Sequence, residues 1–476
     1  MKQRLVVALL VGGGGLGLLW EPAGQSRVGG PVNAADTAWL LTATALVLLM
    51  TPGLSFFYGG MVRGKNVVST LLQSFVAMAV ISLLWLVVGF SLSFGDSWGG
   101  LIGDPRTFLL FSGVGTETHP DLAPTVPLLL FALFQLKFAI ITPALITGAF
   151  AERVRFGAYL LFMVLFSLFI YAPLAHWTWH PEGFLRRWGV LDFAGGTVVH
   201  MSAGFAALAG AMVLGPRRVH ARRPAAGGAA PAEAHVPANL PFVMLGTGML
   251  WFGWFGFNAG SALAANGQAA LAFATTNTAS AAAMLGWMAC DWLRGRKPSA
   301  LGACVGAVVG LVAVTPAAGF ITLGQSAFVG LVASAVSNAA VALKSRTAID
   351  DTLDVFPCHG LGGVVGMLLT GVLARDVGLL SGHTRTFLMH VLALGVVSVF
   401  TFAGSWLLYR LVDRVVPLRV TPEQEAEGLD LSQHGETVGE LGVAPLAAHA
   451  PHAPAPPPAA VPSPAAPPVG GAPLPA

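Results

Sequence analysis

Two histidines, His200 and His359, lie inside apolar runs, each a short distance after an aspartate: Asp192 stands eight positions before the first and Asp354 five before the second. Ionisable side chains at membrane depth are rare and are usually functional. A histidine satisfied by a backbone carbonyl is the blander reading, and it serves one such residue better than two in matching places. A neutral imidazole carries one donor and one acceptor nitrogen. Two such residues in an apolar interior fit a pore better than a metal site. No HExxH or comparable histidine–carboxylate motif accompanies them, so an intramembrane enzyme is not expected. Cys290, Cys304 and Cys358 form no CxxC pair or secreted-type framework, so neither a zinc site nor any other metal or cofactor is expected.

Aromatic residues form the second group. Phe134 and Phe138 are four apart and share a helix face, where packing is the default role. Trp177, Trp179 and Trp188 cluster near one end of an apolar run, as interfacial belt residues do. Asp192 also fits a helix N-cap. Lys137 falls mid-run between Gln135 and Phe138. A lysine facing lipid there would cost about 2.5–3.5 kcal/mol, so it must be paired, snorkelled or set in a polar interface.

Long membrane helices must position these residues. The chain is 55% apolar and only 10% charged, against about 25% charged for an average soluble domain. Its 59 glycines suit helices packed closely in lipid. A net charge of +3 does not point to a nucleic-acid surface. With about 20 residues needed per crossing, eleven spans are expected, near 37–60, 68–92, 125–149, 156–175, 194–214, 239–262, 269–292, 299–315, 325–342, 355–373 and 386–413, the eighth being the shortest. Thirteen Lys and Arg fall in the odd-numbered junctions, from Arg63 and Lys65 through Arg217, Arg218, Arg222 and Arg223 to Lys344 and Arg346. Only Arg106, Arg186, Arg187, Arg375 and Arg385 occupy the even ones. The positive-inside rule then puts the N-terminus outside and the C-terminus in the cytoplasm. Eleven is two fives plus one, so spans 1–5 and 6–10 would have opposite topologies, as in an inverted repeat. Both histidines would lie in the fifth span of their half and could meet near the midplane.

The ends differ from the middle. Lys2 and Arg4 precede an apolar run over 5–20 and then small residues, the layout of a secretory signal peptide. Segment 1–35 is read that way, with cleavage between Ala23 and Ala35 or, alternatively, an uncleaved first helix. The membrane domain is expected over 36–415, a charged cytoplasmic tail over 416–441, and a disordered Ala/Pro-rich tract over 442–476.

At this point the residues resemble a known family. Phe57-Tyr58-Gly59-Gly60-Met61-Val62-Arg63-Gly64-Lys65-Asn66, Gly148-Ala149-Phe150-Ala151-Glu152-Arg153, the run from Asp192 to His200, Gly253-Trp254-Phe255-Gly256-Phe257-Asn258-Ala259-Gly260-Ser261 and Asp354-Val355-Phe356-Pro357-Cys358-His359-Gly360 stand in order along the chain. Together they are similar to the ammonium transporter (Amt/Mep/Rh) family, on the bacterial Amt side, from about Thr37 to Gly435. The resemblance implies an all-α polytopic fold, a homotrimer with one path per subunit, and a location in the cell's inner membrane. It implies an outer recruitment site for ammonium at Trp179, Phe138 and Ser261, and a gate at Phe138 and Phe257. It further implies a pore centred on His200 and His359 with Trp254 lining its inner part. Asp192 is implied to hold the backbone at the recruitment site without binding the ion, and Asp354 is taken as its counterpart at the cytoplasmic end of the tenth span. Lys137, close to a cation site, is expected to point away from the pore. The tail from Leu418 to Gly435 is implied to pack across subunits, and a nitrogen-regulatory PII-type protein is a possible cytoplasmic partner. An ammonium sensor and a Rhesus-like channel for neutral ammonia gas remain alternatives.

Overall fold

In the computed structural model, residues 22–218 and 236–438 are described. Residues 1–21 of the expected signal segment, Arg222 and Arg223, and the Ala/Pro tract lie outside them. The chain divides into Met1–Thr437 and Val438–Ala476, and the helices and the candidate site all belong to the first unit.

Eleven long helices dominate the described residues. They are α1 (Ala34–Met61), α2 (Gly64–Phe94), α3 (Leu128–Ala149), α4 (156–179), α5 (Gly196–Leu214), α6 (Leu240–Gly260), α7 (Gly267–Leu293), α8 (Ala300–Val314), α9 (Leu323–Lys344), α10 (Phe356–Leu373) and α11 (Thr384–Val415). Each overlaps one of the apolar runs read from the sequence. Among the described residues, nine are long and apolar enough to cross a membrane: all but α7 and α8. α7 is long, 27 residues, but diluted by Thr, Ser and Asn. α8 has 15 residues and rises only about 22 Å, short of a hydrocarbon core of about 30 Å. Its stretch from Gly306 to Val314 is buried within the protein, so α8 need not match the lipid thickness.

Side chains satisfy the helix starts: Asn33, Asn239, Asn266 and Ser299 accept from first-turn amides, and Thr322 forms a capping box with Gln325. α2, α4, α5 and α10 each contain a π-helical turn, at Trp85–Gly89, Ser167–Tyr171, Gly196–Met201 and Phe356–Gly360. The last two carry the two histidines. The extended segment 22–33 is tied to the loop before α3 by Gly29 N–H to Thr118 O (3.0 Å) and Asn33 N–H to Thr125 O (2.8 Å).

The opposite end of the helices is held by ions. Glu152 is fully buried and backed by Arg63 (2.7 Å) and Arg217 (3.0 Å), and Arg217 also grips Asp350 (2.9 Å). Arg153, also buried, donates to the carbonyls of Ala149, Gly215 and Asp350 and to the Thr352 hydroxyl. The tail folds back onto this cluster. Arg155 N–H donates to Leu418 O and Val420 N–H to Arg153 O, while Asn66 and Asp430 accept from the backbone of Leu429 and Ser69. The described part of the tail thus packs against the start of α2 and the loop between α3 and α4.

Burial pushes the Glu152 and Asp350 carboxyls up, but the Arg217 guanidinium, with Arg63 beside Glu152 and Arg153 beside Asp350, outweighs it and holds both below the usual carboxylate range. A depressed folded-state pKa gives stability that is present above the unfolded value and lost as pH falls through the folded one. The thermal midpoint in detergent should therefore stay level from neutral pH down to about 4, the ordinary carboxylate value, and fall only below it. Glu152→Gln leaves Arg217 short of a buried partner. It should cost about 3–5 kcal/mol, read as a lowered midpoint at pH 7; an unchanged midpoint would mean that the cluster does not contribute to stability.

Candidate functional site

A cavity of about 460 Å³ opens between α3, the end of α4 and the start of α5, lined by Phe138, Trp179, Ser261 and Asp192 among others. Trp179 meets Phe138 edge to face, with ring centroids 5.7 Å apart. The indole is pinned because its Nε1–H donates to the Asp192 carbonyl (3.2 Å). Trp177, by contrast, packs on Phe184 and Phe400 and donates to Leu101 O, so of this pair only Trp179 lines the cavity. Ser261 follows the last turn of α6, and its hydroxyl donates to Phe257 O (2.9 Å). With its proton committed, its oxygen is left able to accept, and the residue lines the cavity.

Behind Phe138 the passage closes. Phe138 and Phe257 are buried and lie 4.3 Å apart, centroid to centroid. Phe257 stacks on His200 at 6.0 Å, and His200 stacks on His359 at 5.6 Å. Trp254 covers His200 at 5.3 Å and is fixed by donating to Thr315 Oγ1 (2.9 Å). Trp179, Phe138, Phe257, His200 and His359 therefore form an unbroken file of rings. The free space around the histidines is about 10 Å³, walled otherwise by apolar side chains such as Leu54, Ile141 and Val308; that is room for about one water-sized molecule. The two Nδ1 atoms are 3.4 Å apart, so one must donate and the other accept, and the rings hold opposite tautomers.

Two local patterns bring the rings together. Asp192 accepts from the amides of Gly195 (2.8 Å), Gly196 (2.6 Å) and Thr197 (2.7 Å) and from the Thr197 hydroxyl (2.5 Å). A carboxylate offers about four lone-pair sites, so all are engaged in starting α5. The corresponding carboxylate at α10 is Asp351, not Asp354: Asp351 accepts from Val355 N–H (3.0 Å) and Phe356 N–H (2.7 Å) and, like Asp192, stands eight residues before its histidine. Asp354 corresponds instead to Gly195, three residues after the capping aspartate and likewise left-handed, with φ 58° against 117°. Its carboxylate turns away to an ion pair with Lys344 (2.5 Å). The expectation for Asp354 is corrected accordingly.

The second pattern is a close crossing. A Cβ on Gly204, one turn after His200, would fall 2.2 Å from both the Cα and the N of Gly360, the residue after His359. The neighbour there is backbone and cannot yield, so only glycine lets α5 and α10 approach this closely. Gly204→Ala should force the helices apart at a cost of about 1–3 kcal/mol and lengthen the His200–His359 separation. Transport by reconstituted protein should fall below about a tenth of the unsubstituted rate, and transport at the unsubstituted rate would count against the crossing.

Among the described residues, Lys137 lines neither cavity. His390 was missed by sequence reasoning. It is buried on α11, accepts from Leu191 N–H (2.9 Å) through Nε2 and donates from Nδ1 to Met367 O (2.8 Å). It thereby ties α10 and α11 to the backbone just before Asp192. Its signal was available, since it too is an ionisable residue inside an apolar helix.

With this geometry in place, comparison with known proteins gives a consistent result. The profile of the Ammonium Transporter Family matches residues 38–438. The chain is 43% identical over 421 residues to an ammonium transporter of Bacillus subtilis, covering 85% of this chain and 98% of that protein. Among solved structures it is similar to Mep2 of Saccharomyces cerevisiae, with TM-score 0.75, 33% identity and coverage of 83% and 89% of the two chains. It is also similar to a protein described as a sensor Amt protein, with TM-score 0.76, 29% identity and coverage of 84% and 98%.

Proposed function

Because the chain belongs to the ammonium transporter family, we propose that it recruits ammonium in the outer cavity, where one N–H bond breaks and its proton passes to the water open to that cavity; ammonia then moves along the file of rings, while His200 takes a proton from that water at Nε2 and gives its Nδ1 proton to His359 Nδ1, which releases one on its far side. The membrane protein is an ammonium transporter and not an enzyme; the proposal concerns how it works. The observation that carries it is the unbroken sequence Trp179–Phe138–Phe257–His200–His359 leading from a polar cavity into a dry one.

Magnitudes favour this order of events. Two aromatic faces attract a cation by about 0.5–2 kcal/mol each, enough to hold ammonium at a mouth still open to water. Moving an intact ion into an apolar space of 10 Å³ forfeits hydration on a scale of tens of kcal/mol. Ammonia escapes that cost, and potassium has no proton to lose. Desolvation favours the neutral form of an ionisable group, so the proton leaves before the Phe138–Phe257 closure.

The same proposal takes all eleven helices as membrane spans, arranged as an inverted five-helix repeat plus one, with the N-terminus outside. The shared aspartate, left-handed residue and histidine of α5 and α10 support it. A homotrimer in the inner membrane, with a PII-type protein as a cytoplasmic partner, completes the proposal. Likeness to a sensor protein favours a second reading, in which ammonium is bound and signalled with little flux. Parallel measurement of ammonium binding and of uptake in liposomes separates the two: the transporter reading expects saturable uptake, and binding without uptake would overturn it.

A further inference from the structure

We propose that Gln135 supplies a second hydrogen-bond acceptor for ammonium in the outer cavity, opposite the role given to Ser261. The proposal rests on the recruitment site described under the proposed function and adds a residue to it. Gln135 sits on α3 three residues before Phe138, so both side chains leave the same face of the helix, and both line the cavity that holds Trp179 and Ser261. Gln135 is 8% exposed, and its carboxamide oxygen is buried and accepts no hydrogen bond from any described residue. Buried polar groups are nearly always paired. A carboxamide with an idle oxygen beside a cavity is chemically suited to a ligand that brings its own N–H.

Ammonium is such a ligand. It has four N–H donors and no acceptor, so each of its bonds needs an oxygen or a π face. Ser261 has one oxygen to offer because its proton is already given to Phe257 O. Asp192 has none, since its lone pairs serve α5. Gln135 adds a directed acceptor without adding a negative charge. Two neutral oxygens and two ring faces hold a cation that donates hydrogen bonds and still release it to the next step. A carboxylate in the same place would hold the ion longer. The carboxamide can turn about its last bond to present either end, so the oxygen can swing to the cavity when the cation arrives.

The test uses the full chain reconstituted in liposomes, with initial ammonium-evoked transport measured against ammonium concentration. Gln135→Met keeps the volume and flexibility of the side chain and removes the acceptor. It should raise the half-saturating concentration about tenfold, the usual weight of a hydrogen bond to a charged group, with the maximum changed less than twofold. Gln135→Glu should lower the half-saturating concentration at neutral pH. If Gln135→Met fails to fold, the Glu variant decides alone. A residue that only packs would lower the maximum without moving half-saturation in opposite directions. The proposal is overturned if both variants keep the half-saturating concentration within twofold while Ser261→Ala raises it. If Ser261→Ala also leaves it unmoved, the recruitment site itself is wrong, which is a separate failure.

Discussion

Asp192→Ala should abolish ammonium transport, whereas Asp192→Asn should retain part of it. The carboxylate accepts four hydrogen bonds in a buried setting. Losing an exposed N-cap costs about 0.5–2 kcal/mol, but here each abandoned donor adds about 1–3 kcal/mol. The damage spreads in both directions. The carbonyl of Asp192 anchors the Trp179 indole, and the turn it starts carries His200 eight residues on. Asparagine keeps one oxygen, which can still accept from Gly195 and Gly196, and loses the bonds to Thr197. Uptake assays beside size-exclusion profiles distinguish this from direct ion binding by Asp192. If the carboxylate held ammonium itself, Asn would fail as completely as Ala; if Asp192→Ala transports normally, the capping account is wrong.

The legibility of these features in the sequence varies with the physical signal. The helices were legible, because lipid demands long apolar runs and the loop charges punctuate them. α8 already reads as the shortest span, and it has 15 residues in the fold; α7 reads as an equal of the rest, yet it is diluted with polar residues. α8 is buried by protein from Gly306 to Val314, which its sequence does not reveal. His200 and His359 stand out because charge-bearing groups are conspicuous in apolar runs. His390 and Gln135 meet much the same criterion without drawing notice, since only the folded chain shows what a lone polar side chain faces. The error at Asp354 is one of register. Sequence offers three aspartates, Asp350, Asp351 and Asp354, and proximity to His359 favours the nearest. The backbone decides otherwise, because a left-handed residue at 354 separates the capping aspartate from the helix it caps. Neither the π-helical turns that carry both histidines nor the Gly204–Gly360 crossing beside them has a signal in local propensity. The aromatic roles rest on family resemblance; spacing alone leaves Phe138 and Trp179 as packing and belt residues.

The second large effect is expected at the pair itself. His200 lies between Phe257 and His359, stacked on both, and its Nε2 is buried without a protein partner among the described residues. It is the first group in the file that can take a proton beyond the closure. Removing a positioned proton-transfer group typically costs about 10²–10⁴-fold in rate. His200→Ala should therefore depress ammonium-evoked current by about a hundredfold. The outer cavity, built from Trp179, Phe138 and Ser261, stays intact, so ammonium binding should persist at nearly its original strength. A variant that binds but does not conduct would separate recruitment from relay, the two steps that the dry passage keeps apart.

Electrophysiology on the purified protein in planar or solid-supported bilayers, with His200→Ala beside the unsubstituted chain, tests the relay most directly. The relay predicts an ammonium-selective current in the unsubstituted protein, none for potassium, and loss of the ammonium current in the variant. An undiminished, ammonium-selective current through His200→Ala, or uptake by the unsubstituted protein with no current at all, would contradict it.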